Sequence, residues 1–378
     1  MITQVMRKGY MPFDVVLRSG FENYDRTVLI ENLGEMIEQA GGWPESVVPG
    51  ARALLKVNML SAKSPERAIT THPEVVAAMA VLLKREGCVV TIGDSPGGAI
   101  KGVERYWNNC GFTAVADELG IELVNFEKAG SVEVTLDDRT YNIAKPIIDA
   151  DVLINMCKFK THGLCRLTNA VKNAFGAIPG LGKAILHSHA IRPADLADNL
   201  VDIYTIVGFD FHVMDAILAM DGKGPSTDGT PRWDGILGVA RDGVCLDVVM
   251  TGLAGLDPRK LHTSRIALER GLGRDPEEIK VSGIEDCKLE NFRIPGESFY
   301  NLLPSFLGGI ARYFFKRPPV ATDKCVGCGI CEEGCPVGAI TIRDGKAVMN
   351  RRKCIMCLCC HELCPHRAIE IRIPLGRS

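Results

Sequence analysis

Apolar residues arrive along this chain in short runs, separated by stretches in which they recur every three or four positions, and the alternation predicts strands and helices taking turns. Residues 14–18 and 53–58 read as short strands, with a helix over 26–40 between them that stops at Gly41-Gly42. His72-Pro73 opens a helix running to Glu86, with Val76, Ala80 and Leu83 on one stripe; Gly87 ends it, and 88–92 makes a buried strand. After Asp94 and the turn Ser95-Pro96-Gly97-Gly98 come a helix through Cys110 and a strand over 121–126. Residues 132–142 read as a hairpin around Asp137-Asp138, 151–155 as a short apolar strand, 194–207 as a helix and 211–218 as a strand. Repeated strand-helix-strand passages of this kind predict an α/β body with an open, largely parallel sheet, in one lobe or two.

The last quarter follows a different rule. Cys325, Cys328, Cys331 and Cys335 precede Pro336, and Cys354, Cys357, Cys360 and Cys364 precede Pro365, so the run C-x2-C-x2-C-x3-C-P is written twice. That spacing resembles the ligand pattern of bacterial ferredoxins with two [4Fe-4S] clusters, in which the fourth cysteine of each run serves the other cluster. The expected ligand sets are therefore Cys325, Cys328, Cys331 and Cys364, and Cys354, Cys357, Cys360 and Cys335. Structural zinc or disulfides give no reason for the same uneven spacing and following proline to appear twice. Cys359 breaks the symmetry and is either a spare thiol packed near a cluster or a substitute ligand. Residues 339–342 and 368–371 repeat an Ala-Ile, polar, Ile pattern and read as two edge strands of a small α+β unit; Val348 pairs with the first across the Asp344-Gly345 turn. Its apolar side chains keep water from the sulfurs.

With 378 residues, 46% hydrophobic and 24% charged, the chain has room for two or three ordinary cores. A formal net charge of -2, with no Lys/Arg run longer than three, argues against nucleic acid as the partner. No signal peptide and no bilayer-length apolar stretch is visible, and the abundant thiols imply a reducing cytoplasm, in an organism that avoids oxygen. An aromatic-rich stretch over 299–317, ahead of Pro318-Pro319, suits packing of the cysteine unit on the body; a helix touching a membrane surface or a partner is the alternative. The domains expected are a body over 1–298, this linker over 299–319 and the ferredoxin-like unit over 320–378.

In open parallel sheets ligands bind beyond the carboxyl ends of the strands. Three loops of this chain are expected there. The first carries Asp94 and Ser95 among glycines, which suits an anion or merely a tight turn. The second, 155–163, crowds Lys158, Lys160 and His162 and continues to Lys172, Lys183, His187 and His189; it reads as a site for an anionic substrate, with a solvated basic loop as the plain alternative. Lys160 and His162 are the candidates for catalysis, His162 for moving a proton near neutral pH. If extended, the His187/His189 pair could join His162 in a three-nitrogen metal site; the reading to set above it is that one of them binds substrate or a cluster-proximal carboxylate and the other lies at the surface. Asp215 and Asp221 bracket an apolar run before a third loop, where a carboxylate could bind a cation or orient Lys160 or His162.

Lys158-Phe159-Lys160-Thr161-His162, Val171-Lys172-Asn173-Ala174-Phe175-Gly176, the His187/His189 pair, Asp215-Ala216, and Gly222-Lys223-Gly224-Pro225 resemble the family known as domain of unknown function 362. His72-Pro73-Glu74-Val75-Val76 and Gly93 to Gly97 extend the likeness, which covers about residues 50–260. It implies a redox-active iron-sulfur protein without supplying a substrate. A more distant similarity is to the nickel-pincer lactate racemase, which would imply metal-dependent racemase or isomerase activity. Together these features lead to an iron-sulfur electron-transfer protein, an oxidoreductase coupling two [4Fe-4S] clusters to a small anionic substrate bound by Asp94, Ser95, Lys158, Lys172, Lys183, His187, His189 and Asp221. A redox partner protein, a reduced ferredoxin or a flavoprotein would be the donor, and a further metal or organic cofactor is left open. The alternative is a non-enzymatic carrier whose α/β body docks a partner protein.

Overall fold

The computed structural model describes residues 13–96, 102–190, 192–225, 229–296 and 318–370. Its centre is a nine-stranded sheet. Strand β1 (Val15–Arg18) is followed by helix α1 (Arg26–Gln39), β2 (Arg52–Lys56), α2 (Pro73–Arg85) and β3 (Val89–Asp94). Short helices α3 (Glu104–Asn109) and α4 (Phe112–Leu119) lead to β4 (Glu122–Asn125), and β5 (Ser131–Leu136) with β6 (Arg139–Ala144) forms the expected hairpin, Asp137 taking a positive φ at its turn. Then come α5 (Lys145–Asp149), β7 (Val152–His162), β8 (Arg166–Thr168), α6 (Ala170–Asn173), α7 (Gly182–His189), α8 (Pro193–Val207), β9 (Phe211–Gly222), β10 (Gly229–Ala240), α9 (Gly243–Leu253), α10 (His262–Glu269) and β11 (Val281–Ser282).

The strands lie in the order β11-β1-β10-β9-β7-β2-β3-β4, with β8 paired to β7. The run β9-β7-β2-β3-β4 is parallel throughout, while β10 turns back against β9 and β1. Local chemistry starts the helices where the sequence indicates. Asp25 caps α1 by accepting from the amides of Thr27 and Val28, and His72 caps α2 ahead of Pro73. One face of the sheet packs Leu55, Ile92 and Met156 against Leu33, Met36 and Val76 of α1 and α2. On the other, Leu200 and Ile203 of α8 meet Leu54 and Leu153, and Leu246 and Met250 of α9 meet Cys157 and Phe159. The body is thus a three-layer α/β sandwich.

The largest departure from the sequence reading concerns β7. It runs eleven residues, every one buried, so Lys158, Lys160 and His162 belong to a strand and not to an exit loop. The ladder continues because both neighbours supply partners: β9 runs on to Gly222, and β8 folds back so that Lys160 pairs with Thr168 and His162 with Arg166. Polar side chains tolerate this burial because each finds a buried polar partner.

In the cysteine-rich unit, Ile340–Arg343 pairs with Lys346–Met349, Val348 standing opposite Thr341, and Ile369–Glu370 pairs with Val320–Ala321. Short helices Ile330–Glu333 and Cys359–Leu363 complete it. Cys359 and Leu363 pack on Ala184 of α7, which brings this unit against the body. The aromatic stretch read as the packing segment lies outside the described residues.

Candidate functional site

Lys56 ends β2, Asp94 ends β3, and Lys160 and His162 end β7. Because these strands are parallel, the four side chains meet at the carboxyl edge of the sheet, where they wall one cavity. Lys56 and Asp94 form a buried ion pair at 2.8 Å, and Asp94 also accepts from the amides of Met59 (2.7 Å) and Ser95 (2.8 Å). Gly176 passes so close that a Cβ there would meet both charged groups, which explains the glycine. Burial lowers the Lys56 amine from its ordinary value, and Asp94 opposes that shift.

A ladder of amides crosses the floor of the cavity. Asn155 Nδ2 donates to the Ala170 carbonyl (2.9 Å), so its Oδ1 accepts from Asn173 Nδ2 (2.7 Å). Asn173 Oδ1 accepts from Asn58 Nδ2 (2.9 Å), and Asn58 Oδ1 accepts from Lys160 Nζ (2.8 Å). A carbonyl can only accept, so the Ala170 anchor fixes the orientation of every amide in the series. Lys160 Nζ also donates to the Ile69 carbonyl, and burial, reinforced by the charges of Lys172 and Lys158, holds its amine well below the ordinary lysine range.

His162 Nδ1 accepts from the amides of Leu164 and Cys165, both at 3.1 Å, so the proton of the neutral ring sits on Nε2. That nitrogen faces Glu362 Oε1 at 3.8 Å, a carboxyl from the helix Cys359–Leu363 of the cysteine-rich unit. Burial, with Lys172 and His187 adding positive charge, keeps the imidazole well below its ordinary pKa. Lys183 donates to the carbonyls of Ser95 and Pro96, each at 2.8 Å, and lies 3.9 Å from Glu127; burial pulls it down to about 8. Lys172 sits over the Phe175 ring at 5.7 Å, and His187 meets the same ring edge-on.

Asp94, Ser95, Lys160, His162, Lys172, Lys183 and His187 are thereby brought to one cavity. Three other expectations do not hold. Lys158 is fully buried away from it, donating to Asp215 at 2.7 Å within a hub where Tyr24 also donates to Asp215 and stacks on His72. Asp221 does not orient Lys160 or His162: Arg293 and Arg232 hold it, and they pull its carboxyl below the ordinary range against desolvation. His187 and His189 lie on α7, not on an extended segment. Two positions along a helix are about 200° of turn, so the pair does not share a face; the His189 side chain lies outside the described residues. The sequence reading also missed Lys56, Asn58, Asn173 and Glu362. A lysine at the end of an apolar parallel strand was the available signal for Lys56; Glu362 had none, because only the docking of the two units delivers it.

The cysteine-rich unit holds two further cavities. One is lined by Cys325, Cys328, Cys331 and Cys364 with Ile342 and Ile369. The other is lined by Cys335, Cys354, Cys357 and Cys360 with Ile340 and Ile355. Each cavity thus gathers the four cysteines of one expected set. Sulfur donors in fours suit iron-sulfur clusters, in which each iron takes one thiolate. Backbone amides of Ala339 and Ala368 donate to the sulfurs of Cys335 and Cys364 at 3.1 and 3.3 Å, equivalent positions in the two halves. Cys359 is not in either wall; it faces the body cavity beside Cys357.

Against known families, the profile described as domain of unknown function (DUF362) matches residues 53–252, more than half of the chain. The chain belongs to that family. In this DUF362 protein a 4Fe-4S binding domain profile matches residues 318–341, so an iron-sulfur ferredoxin-type motif accompanies the body. A thylakoid-associated protein of Synechocystis sp. is 34% identical over 287 residues, covering 74% of this chain and 87% of that protein. A ferredoxin-type protein, NapF, of Haemophilus influenzae is 50% identical over 40 residues, 11% of this chain and 20% of its own length. Among solved structures, the lactate racemase apoprotein from Thermoanaerobacterium thermosaccharolyticum aligns at a TM-score of 0.38 and 12% identity, over 55% of this chain and about half (51%) of that one, a likeness too slight to carry a functional conclusion. Among the described residues no helix of this DUF362 protein is long and apolar enough to cross a membrane.

Proposed function

We propose that this protein is an oxidoreductase in which two [4Fe-4S] clusters serve a small anionic substrate bound in the body cavity. The observation that carries the reading is Cys357, which lies in the wall of both the body cavity and the second cysteine-lined cavity. When bound, the clusters supply one-electron exchange at that shared wall. Cys325, Cys328, Cys331 and Cys364 would hold one, and Cys335, Cys354, Cys357 and Cys360 the other.

The chain's own residues do the rest. Lys172 and Lys183 offer positive charge to an anionic group, and the Lys56–Asp94 pair with Gly176 shapes the floor on which it rests. His162 holds a proton at Nε2 with Glu362 opposite, a pair suited to passing a proton to or from a reduced or oxidised substrate. Lys160 presents beside them an amine that burial shifts well below the ordinary lysine range. Phe175, Pro225 and Cys359 line the same space and limit water.

The test is Lys160→Met in anaerobically purified protein with reduced clusters, measuring consumption of small carboxylate and oxo compounds by mass spectrometry. Turnover is expected to fall about 10- to 1,000-fold with both cluster spectra unchanged. Equal turnover by the variant rejects the cavity as the reacting site.

A further inference from the structure

Among the described residues four lysines wall the body cavity, and they are not equivalent. Lys56 faces Asp94 at 2.8 Å, Lys183 approaches Glu127 at 3.9 Å, and Lys172 is only partly buried over Phe175. Lys160 is buried, and among the described residues no carboxylate stands within ion-pairing distance of it. Its two hydrogen-bond acceptors, Asn58 Oδ1 and the Ile69 carbonyl, are both neutral. A neutral amine has two N–H bonds and one lone pair; two acceptors use the first and leave the second. The anchored amide ladder from Ala170 through Asn155, Asn173 and Asn58 prevents Asn58 from turning its own NH2 toward the nitrogen, so in its unprotonated form the amine is held by its hydrogens with its lone pair unclaimed. A structural lysine needs no such arrangement. Lys158, two residues earlier on the same strand, shows the ordinary solution: a carboxylate at 2.7 Å.

We propose that Lys160 is a nucleophile that condenses with the carbonyl carbon of a small aldehyde or ketone bearing an anionic group. This rests on the reading of the cavity as a substrate site and names the substrate class. The Nζ lone pair attacks the carbonyl carbon and the C=O electrons move to oxygen. With one proton taken up from solvent, that oxygen leaves as water while the C=N bond forms, so no oxidant or reductant is consumed. The resulting iminium keeps one N–H, for which Asn58 Oδ1 is the acceptor already in place. Lys172, which lines the same cavity, supplies the charge that holds the anionic group of the same small molecule. Burial of the amine, with the charges of Lys172 and Lys158 nearby, agrees with this role by shifting Lys160 toward its unprotonated form against the opposing pull of Glu362 and Asp94.

The experiment uses the anaerobic holoprotein with glyoxylate as the probe and cyanoborohydride to fix any imine, followed by intact mass and peptide mapping. The expected result is one carboxymethyl group per chain, on Lys160, formed about tenfold faster relative to exposed lysines of the same sample than the ethyl adduct from acetaldehyde, because Lys172 recognises the carboxylate. Lys160→Arg is expected to lose the adduct while keeping its tryptophan fluorescence and cluster absorbance. Mapping in the unmodified protein decides the matter even if that variant fails to fold. Label spread over surface lysines, or concentrated on Lys172 or Lys183, overturns the proposal. Electron exchange is read separately: if small anions re-oxidise the clusters and Lys160 carries no adduct, the imine falls and the oxidoreductase reading stands. An adduct on Lys160 in a protein whose clusters small anions do not re-oxidise supports the imine and removes the oxidoreductase reading.

Discussion

Replacing Lys56 by Met tests whether the ion pair under the cavity is structurally required. Met keeps most of the apolar stem and removes the amine 2.8 Å from Asp94, leaving a buried carboxylate with only the amides of Met59 and Ser95 as partners. Breaking a buried pair from one side costs about 3–5 kcal/mol, and the two remaining amide donors place this case near the lower end, about 3 kcal/mol. For a body of this size each kcal/mol moves the thermal midpoint by about 2–4 °C, so a fall of about 6–12 °C is expected. All three tryptophans, Trp43, Trp107 and Trp233, lie outside the cysteine-rich unit, and their fluorescence follows the body alone. The double variant K56M/D94N carries no stranded charge and is expected to regain about 2 kcal/mol over K56M. A single variant within about 0.5 kcal/mol of the parent, or a double variant no better than the single, would refute the reasoning.

Burial pushes His72 down to about 4, against the pull of Asp215. The unfolded chain binds a proton at this site from about pH 6.5 downward while the folded chain does not, so stability falls as pH drops from 6.5 to about 4. His72→Asn keeps an acceptor for the Glu74 amide and should flatten that slope in urea titrations at stepped pH; an unchanged slope removes His72 from the account. Iron and sulfide assays should give about eight of each for the parent and for Cys359→Ala, whereas Cys357→Ala loses the cluster bordering the body cavity. Loss of four irons from the Cys359 variant would make that residue a ligand.

Much of the frame was legible because it is local. The helix start at His72-Pro73, the glycines after the first two helices and the doubled cysteine run each state their element within a few residues. The hairpin around Asp137 and the pairing of Val348 were readable for the same reason. The reading failed where burial of charge decided the outcome. Lys158 and Lys160 look like loop residues until Asp215 and Asn58, 57 and 102 positions away in sequence, neutralise or accept from them. With those partners, 155–162 stays in the sheet. His187 and His189 were weighed as an extended pair, although Gly182 through His189 is helical. Glu362 could not be assigned to the cavity at all, since its address depends on how the cysteine-rich unit packs on α7.

On the proposed function a small anion, and not a partner protein, exchanges electrons at the wall formed by Cys357. Stopped-flow re-oxidation of the photoreduced holoprotein, with small oxo-acids and no other protein present, tests this. Saturable re-oxidation at a rate matching turnover, lost in Lys160→Met with both clusters intact, is expected. Re-oxidation only when a partner protein is added, with small anions inert and the Lys160 variant indistinguishable from the parent, would contradict it.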